Sequence, residues 1–159
     1  MGVRKFSMGA GAAFALLIAG TAMAADTVKT PFEVTLPPGF TTTVNKGPDF
    51  TVYYFQKAGV TYAGAYVGNF PMFTPDPNGG PVQQKVECQG TTVARREVLL
   101  VLKYDQGNAY VHAWTVGGPQ ANRIIGLNIL RSLKMLGQND GLSSVPLKTC
   151  TPPAPTPSA

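Results

Sequence analysis

Histidine occurs once in these 159 residues, at His112; cysteine occurs twice, at Cys88 and Cys150, and tryptophan once, at Trp114. Aspartate and glutamate total 8, and charged residues make up 13% of the chain. These shortages remove whole classes of chemistry. A zinc site takes three or four protein ligands, and two cysteines with one distant histidine do not supply them. Nucleophilic catalysis needs Ser, Cys or Thr beside a base, and no G-x-S-x-G elbow accompanies His112. There is no G-x-G-x-x-G and no phosphate-binding loop, so no cofactor is expected. Asp76-Pro77-Asn78-Gly79 has the look of a calcium loop but lacks its alternating oxygen ligands and distal glutamate. The acids Asp26, Glu33, Asp49, Asp76, Glu87, Glu97, Asp105 and Asp140 are spread along the chain, mostly beside turns, the ordinary place for them.

Long apolar runs are scarce as well. After residue 25 the longest is Val98-Leu99-Leu100-Val101-Leu102, too short to cross a bilayer. Before it, Arg4-Lys5 leads into an uncharged stretch from Met8 to Ala24, centred on Phe14-Ala15-Leu16-Leu17-Ile18 and closed by Ala22-Met23-Ala24-Ala25. Charge, apolar centre and A-x-A in that order form a cleavable secretory signal over residues 1–25, with cleavage after Ala24 or Ala25. The stretch is diluted by glycine and threonine, which argues against a retained membrane anchor. The protein is therefore expected to be exported, periplasmic or secreted, with no stable membrane span after cleavage.

Arg4 and Lys5 carry two of the five net positive charges, leaving +3 on the mature chain. Its basic residues are scattered, and only Arg95 and Arg96 are adjacent. A nucleic-acid surface needs a basic stripe to displace counterions, so none is expected. In an oxidising compartment Cys88 and Cys150 are expected to pair.

Strand patterns dominate the mature chain. Phe32, Val34 and Leu36 alternate with polar residues until Pro37-Pro38-Gly39. Phe50–Gln56 and Val60–Asn69 read as antiparallel partners about Lys57-Ala58-Gly59. Pro71–Pro81, with four prolines, is an exposed loop. Thr91–Tyr104 is apolar on both faces at its centre, the mark of a mid-sheet strand. Asp105-Gln106-Gly107-Asn108 turns it into Ala109–Val116.

Beyond Gly117-Gly118-Pro119, Ala121, Ile125, Ile129, Leu133 and Leu136 fall on one helical stripe, predicting a long helix over 119–136 with Gly137 as its cap. The fold class is α+β: an antiparallel sheet of five to six strands packed on a long C-terminal helix. Residues 26–150 form one globular domain, and the proline-rich residues 151–159 are expected to be disordered.

Two stretches carry a family resemblance. Phe32-Glu33-Val34-Thr35-Leu36-Pro37-Pro38-Gly39-Phe40 resembles the opening strand of PsbP-like proteins, where an amphipathic strand runs into a proline-glycine-aromatic turn. Ile124-Ile125-Gly126-Leu127-Asn128-Ile129-Leu130-Arg131-Ser132-Leu133 resembles the closing helix of that group, which includes small exported bacterial proteins of the DcrB kind. The resemblance implies an antiparallel sheet flanked by helices, serving as a binding or accessory module. The chain departs from the pattern in its proline-rich loop, its cysteine pair and the lack of an obvious second helix.

One constellation remains. Tyr62, Tyr66, Tyr110, His112 and Trp114 would line a common sheet face if their strands are neighbours, making a cleft for a small apolar or sugar-like ligand. The plainer reading makes them core beneath the helix, with His112 a packed histidine. The function expected is that of a non-catalytic exported accessory protein, binding an envelope protein partner or a small ligand. The alternatives are a small exported hydrolase using His112, and a purely structural envelope component with its proline-rich tail as spacer.

Overall fold

The structure, a computed structural model, describes residues 25–29, 31–104, 107–136 and 141–151. Residues 1–24, where the secretory signal is expected, and 152–159 lie outside these, as do Asp105, Gln106 and Gly137.

Alternating apolar residues set the first strands. β1 (Asp26–Lys29) pairs antiparallel with β2 (Phe32–Leu36), which buries Phe32, Val34 and Leu36 as the alternation predicts. Pro37 and Pro38 cannot donate to a ladder, and Gly39 takes a φ of 78° to turn the chain toward β3 (Thr41–Lys46). β4 (Phe50–Lys57) and β5 (Val60–Gly68) are joined by Ala58 and Gly59, with φ of 49° and 77°. Two consecutive left-handed residues give the twist that a two-residue hairpin turn needs. The chain continues through β6 (Val82–Gln89), β7 (Thr92–Tyr104), β8 (Gly107–Thr115), α1 (Gln120–Ser132), β9 (Lys134–Met135) and a 3₁₀ turn at Gly141–Ser143.

The main sheet has six strands in the order β3-β4-β5-β8-β7-β6, every neighbouring pair antiparallel. That order explains the proline-rich loop. β5 and β6 are consecutive in the chain but stand three strand spacings apart, a gap of roughly 14 Å. The connection between them must pass β8 and β7, and it does so across one face of the sheet.

The opposite face carries the main core. Tyr53, Phe55, Ala63, Ala65, Val98, Leu100, Val111 and Ala113 point into it. A second sheet, in the order β1-β2-β9, packs there with α1 and the C-terminal segment. Phe32 meets Tyr53 and Phe55 edge-on, at ring-centroid distances of 5.2 and 6.5 Å. The C-terminal segment is tied down by Gln84, whose amide donates to Pro146 O and accepts from the Lys148 N–H, and by Arg96, which donates to Lys148 O. A Cys88–Cys150 disulfide closes it. No helix among the described residues is long and apolar enough to cross a membrane.

The helix is shorter than its apolar stripe predicts: 13 residues, not 18. The helix stops at Ser132, whose hydroxyl accepts the Thr35 N–H at 2.9 Å and lies 2.8 Å from Ile129 O. A serine that satisfies backbone groups from its side chain competes with helix continuation. Leu133 turns to extended geometry, and Lys134–Met135 add to the edge of β2 as β9. Ile129, Leu133 and Met135 are buried, while Ala121 and Leu136, the predicted ends of the stripe, face solvent. The architecture is α+β with a six-stranded antiparallel sheet and one short helix among the described residues.

Candidate functional site

The face away from the helix is built by cross-strand register. Tyr66 pairs with His112, Gly64 with Trp114 and Gly68 with Tyr110 on β5 and β8. On the β7 side Glu97 lies opposite Trp114 and Leu99 opposite His112. Alternation puts these residues on the side opposite Val98, Leu100, Val111 and Ala113. Tyr66, Tyr110, His112 and Trp114 therefore share one sheet face, and the helix does not cover it.

Tyr62 does not join them. The β4–β5 ladder shifts between Phe55 and Gln56, whose partners are Ala63 and Thr61, so Tyr62 is the extra residue of a bulge. Its ring meets Phe40 edge-on at 5.0 Å and packs against the main core. Strict alternation along Val60–Val67 had placed it beside Tyr66, and the bulge undoes that.

The crossing loop lies over part of the aromatic face. The Gln83 side chain accepts the Asp76 N–H at 2.6 Å and donates to Asp76 O at 3.0 Å. Asp76 Oδ1 accepts the Asn78 N–H at 2.9 Å, which makes Asp76-Pro77-Asn78-Gly79 a side-chain-closed turn. Anchored so, the loop sets Phe73 edge-on to His112 at 6.0 Å. His112 is 3% exposed, and Leu99, opposite it, is fully buried though it is not part of the main core. Phe73, His112 and Leu99 form a small second core under the loop.

The electrostatics center on Glu97. Its carboxylate takes Arg95 at 2.8 Å and Lys85 at 3.8 Å, and its Oε1 stands 3.5 Å from His112 Nε2. That separation does not make a hydrogen bond, and Nε2 is buried with no partner among the described residues. Burial holds the His112 pKa below its usual value; Glu97 pulls the other way and Arg95 adds to the lowering. The lowering favours the neutral imidazole. No Ser, Thr or Cys side chain bonds to it among the described residues, and no group of three metal-ligating residues occurs among them.

Around this buried center the face stays half-exposed. Trp114 meets His112 at 5.6 Å and Tyr54 at 6.4 Å, its indole lying over Gly64. Tyr66 stacks on Phe50 at 5.7 Å, and its hydroxyl accepts the Phe70 N–H at 3.0 Å. Phe70 and Met72, in the loop beside them, are 75% and 94% exposed. A surface hollow lined by Met72, Lys85, Glu87, Arg95 and Glu97 adjoins the strip.

Tyr54, Phe50, Phe73 and Glu97 also belong to this site, beyond the residues that strand alternation brings together. Glu97 follows from the β7–β8 register, in which Tyr104 pairs with Gly107 and Glu97 with Trp114. Phe73 follows from no such pattern, because nothing in the sequence says which face a loop crosses. Compared with family models, curated proteins and solved structures, the chain finds no match.

Proposed function

We propose that this chain is an exported, non-catalytic accessory protein that binds a small apolar or sugar-like ligand on the outer sheet face. The observation that carries the reading is a contrast between neighbours. His112 is sealed under Phe73, while Trp114, Tyr54, Tyr66 and Phe50 remain accessible beside it. Flat aromatic surfaces offer stacking area at low entropic cost and leave polar tips for hydrogen bonds. Export is supported by the signal pattern in the sequence and by the disulfide, which fits an oxidising compartment. The PsbP-like resemblance implies an antiparallel sheet flanked by helices in a binding or accessory module; among the described residues one α-helix accompanies the six-stranded sheet.

Trp114 is the only tryptophan, so its fluorescence reports on this face alone. Titration with cellobiose, maltose and hexanol is expected to give a saturable change with at least one of them. Tyr54→Ala is expected to weaken it about tenfold, the loss of roughly 1.4 kcal/mol of contact. His112→Ala should leave binding in place. A flat titration with all three, or binding that vanishes in folded His112→Ala alone, overturns the reading. The Glu97–His112 approach favours a second reading, a small hydrolase using His112.

A further inference from the structure

A second site lies on the other side of the molecule, where α1 begins beside the start of β7. Arg96 is 9% exposed, and no carboxylate pairs with it among the described residues. Its guanidinium donates to the neutral carbonyl of Lys148, leaving the positive charge uncompensated. Burial and nearby Arg131 both lower its pKa from the usual arginine value. A buried cation without a counter-ion is costly, and proteins seldom keep one unpaired. Something of negative charge would restore the balance.

The space for it is present. A cavity of about 160 Å³ opens between α1 and β7, and Arg96 and Arg123 both line it with Thr92, Thr115 and Gln120. No acid lines it. Thr115 Oγ1 already accepts the Arg96 N–H, and its own proton has no acceptor among the described residues. The helix adds a smaller contribution. Its N-cap is Pro119, with no side-chain cap bond and no acid in the first turn, and its first backbone bond is Arg123 N–H to Pro119 O. The amides ahead of Arg123 are left without intrahelical partners. The remaining wall, Val93, Ile124 and Leu127, is apolar.

We infer that this cavity binds the oxyanion group of a small ligand, a carboxylate or a phosphate carried on a short apolar stem, with Arg96 at its base and Arg123 at its rim. The volume sets the size. At roughly 30 Å³ per water, the cavity holds about five waters' worth of ligand, well short of the roughly 300 Å³ where cofactor-sized pockets begin. Planar guanidinium groups suit both oxyanions, which they bind in bidentate fashion. This site is separate from the aromatic face and does not depend on the function proposed for it.

The test uses the oxidised mature chain and four salts: sodium phosphate, sodium butyrate, butyl phosphate and sodium chloride at matched ionic strength. Ligand that binds only the folded state raises the thermal midpoint in a saturable way. Butyrate or butyl phosphate is expected to do so beyond chloride, and the stronger of the two identifies the headgroup. Arg123→Gln, at a partly exposed position, is expected to weaken the effect about tenfold. Arg96→Met should abolish it while keeping or raising the midpoint in chloride, because the uncompensated charge is gone. Oxyanion curves that coincide with chloride overturn the site. So does an affinity left unchanged by both substitutions.

Discussion

Gly126 of α1 lies so close to the carbonyl of Tyr62 that a Cβ built on it would stand 2.5 Å from that oxygen. The obstacle is backbone, not a movable side chain, so the helix can accept a larger residue only by lifting off β5. Because Tyr62 is the bulge residue, its displaced carbonyl and the glycine belong to one fitted contact.

Gly126→Ala is therefore expected to destabilise the protein despite the better helix propensity of alanine, about 1 kcal/mol in its favour. Overpacking of a tight contact costs typically 1–3 kcal/mol, and after the propensity gain a net loss of up to about 2 kcal/mol should appear in urea unfolding. The control is Asn128→Ala, on the exposed side of the same helix, which should be neutral or slightly stabilising. Equal behaviour of the two variants would show that helix and strand are not in contact at this point.

Reduction of the Cys88–Cys150 bridge, which spans a sequence separation of 62, is expected to cost about 4 kcal/mol on the loop-closure account. Denaturant midpoints with and without reductant measure it. The Cys88→Ala/Cys150→Ala variant should match the reduced protein. The effect should extend to the C-terminal segment, since Gln84 and Arg96 hold it through Pro146 and Lys148. Faster amide exchange at Lys148 in the reduced form would report that loosening; unchanged exchange would mean that the hydrogen bonds suffice.

Much of this architecture is legible in local pattern. Phe32-Glu33-Val34-Thr35-Leu36 alternates because one face of β2 is buried, and Ala58-Gly59 turns because its neighbours are β-rich on both sides. β3 and β6 escape notice for the same reason. Thr41–Lys46 is an exposed edge strand, and Val82–Gln89 carries polar residues at most positions, so neither has an apolar face to show. The end of α1 was hidden because Leu133 and Met135 are buried from an extended chain, while the stripe continued in sequence through Leu136. In the aromatic face, Tyr66, His112 and Trp114 follow from strand alternation alone. Tyr62 and Phe73 depend on a bulge and a loop path, which only tertiary structure decides.

Acid sensitivity should trace to His112. Its folded-state pKa lies below the unfolded value of about 6.5, so the unfolded chain binds the proton first as pH falls. Stability is then full above about pH 6.5, declines as pH drops through that value, and levels off once the folded form also protonates. The slope for one group cannot exceed about 1.4 kcal/mol per pH unit. In His112→Gln this part of the pH dependence between 7 and 5 should disappear. A slope that persists unchanged would assign it to the carboxylates.

Phe73 is the residue that keeps His112 dry, and its removal separates burial from charge. The wild-type imidazole feels opposed influences: exclusion of water lowers its pKa, with Arg95 and Lys85 adding to the lowering, and the Glu97 carboxylate 3.5 Å away raises it. Phe73→Ala admits water over the ring without touching Glu97, Arg95 or Lys85. The Gln83–Asp76 bonds hold the rest of the loop in place, so the change stays local. With the largest influence weakened and the others intact, the His112 pKa should rise. Because the chain has a single histidine, its Cε1–H proton resonance can be followed through pH without assignment. The cost in stability should be modest, about 1–2 kcal/mol for a half-buried ring, below the 3–5 kcal/mol of a fully buried phenylalanine. An unmoved titration in the folded variant would mean that the loop does not shield the histidine and that no sealed center exists beneath it.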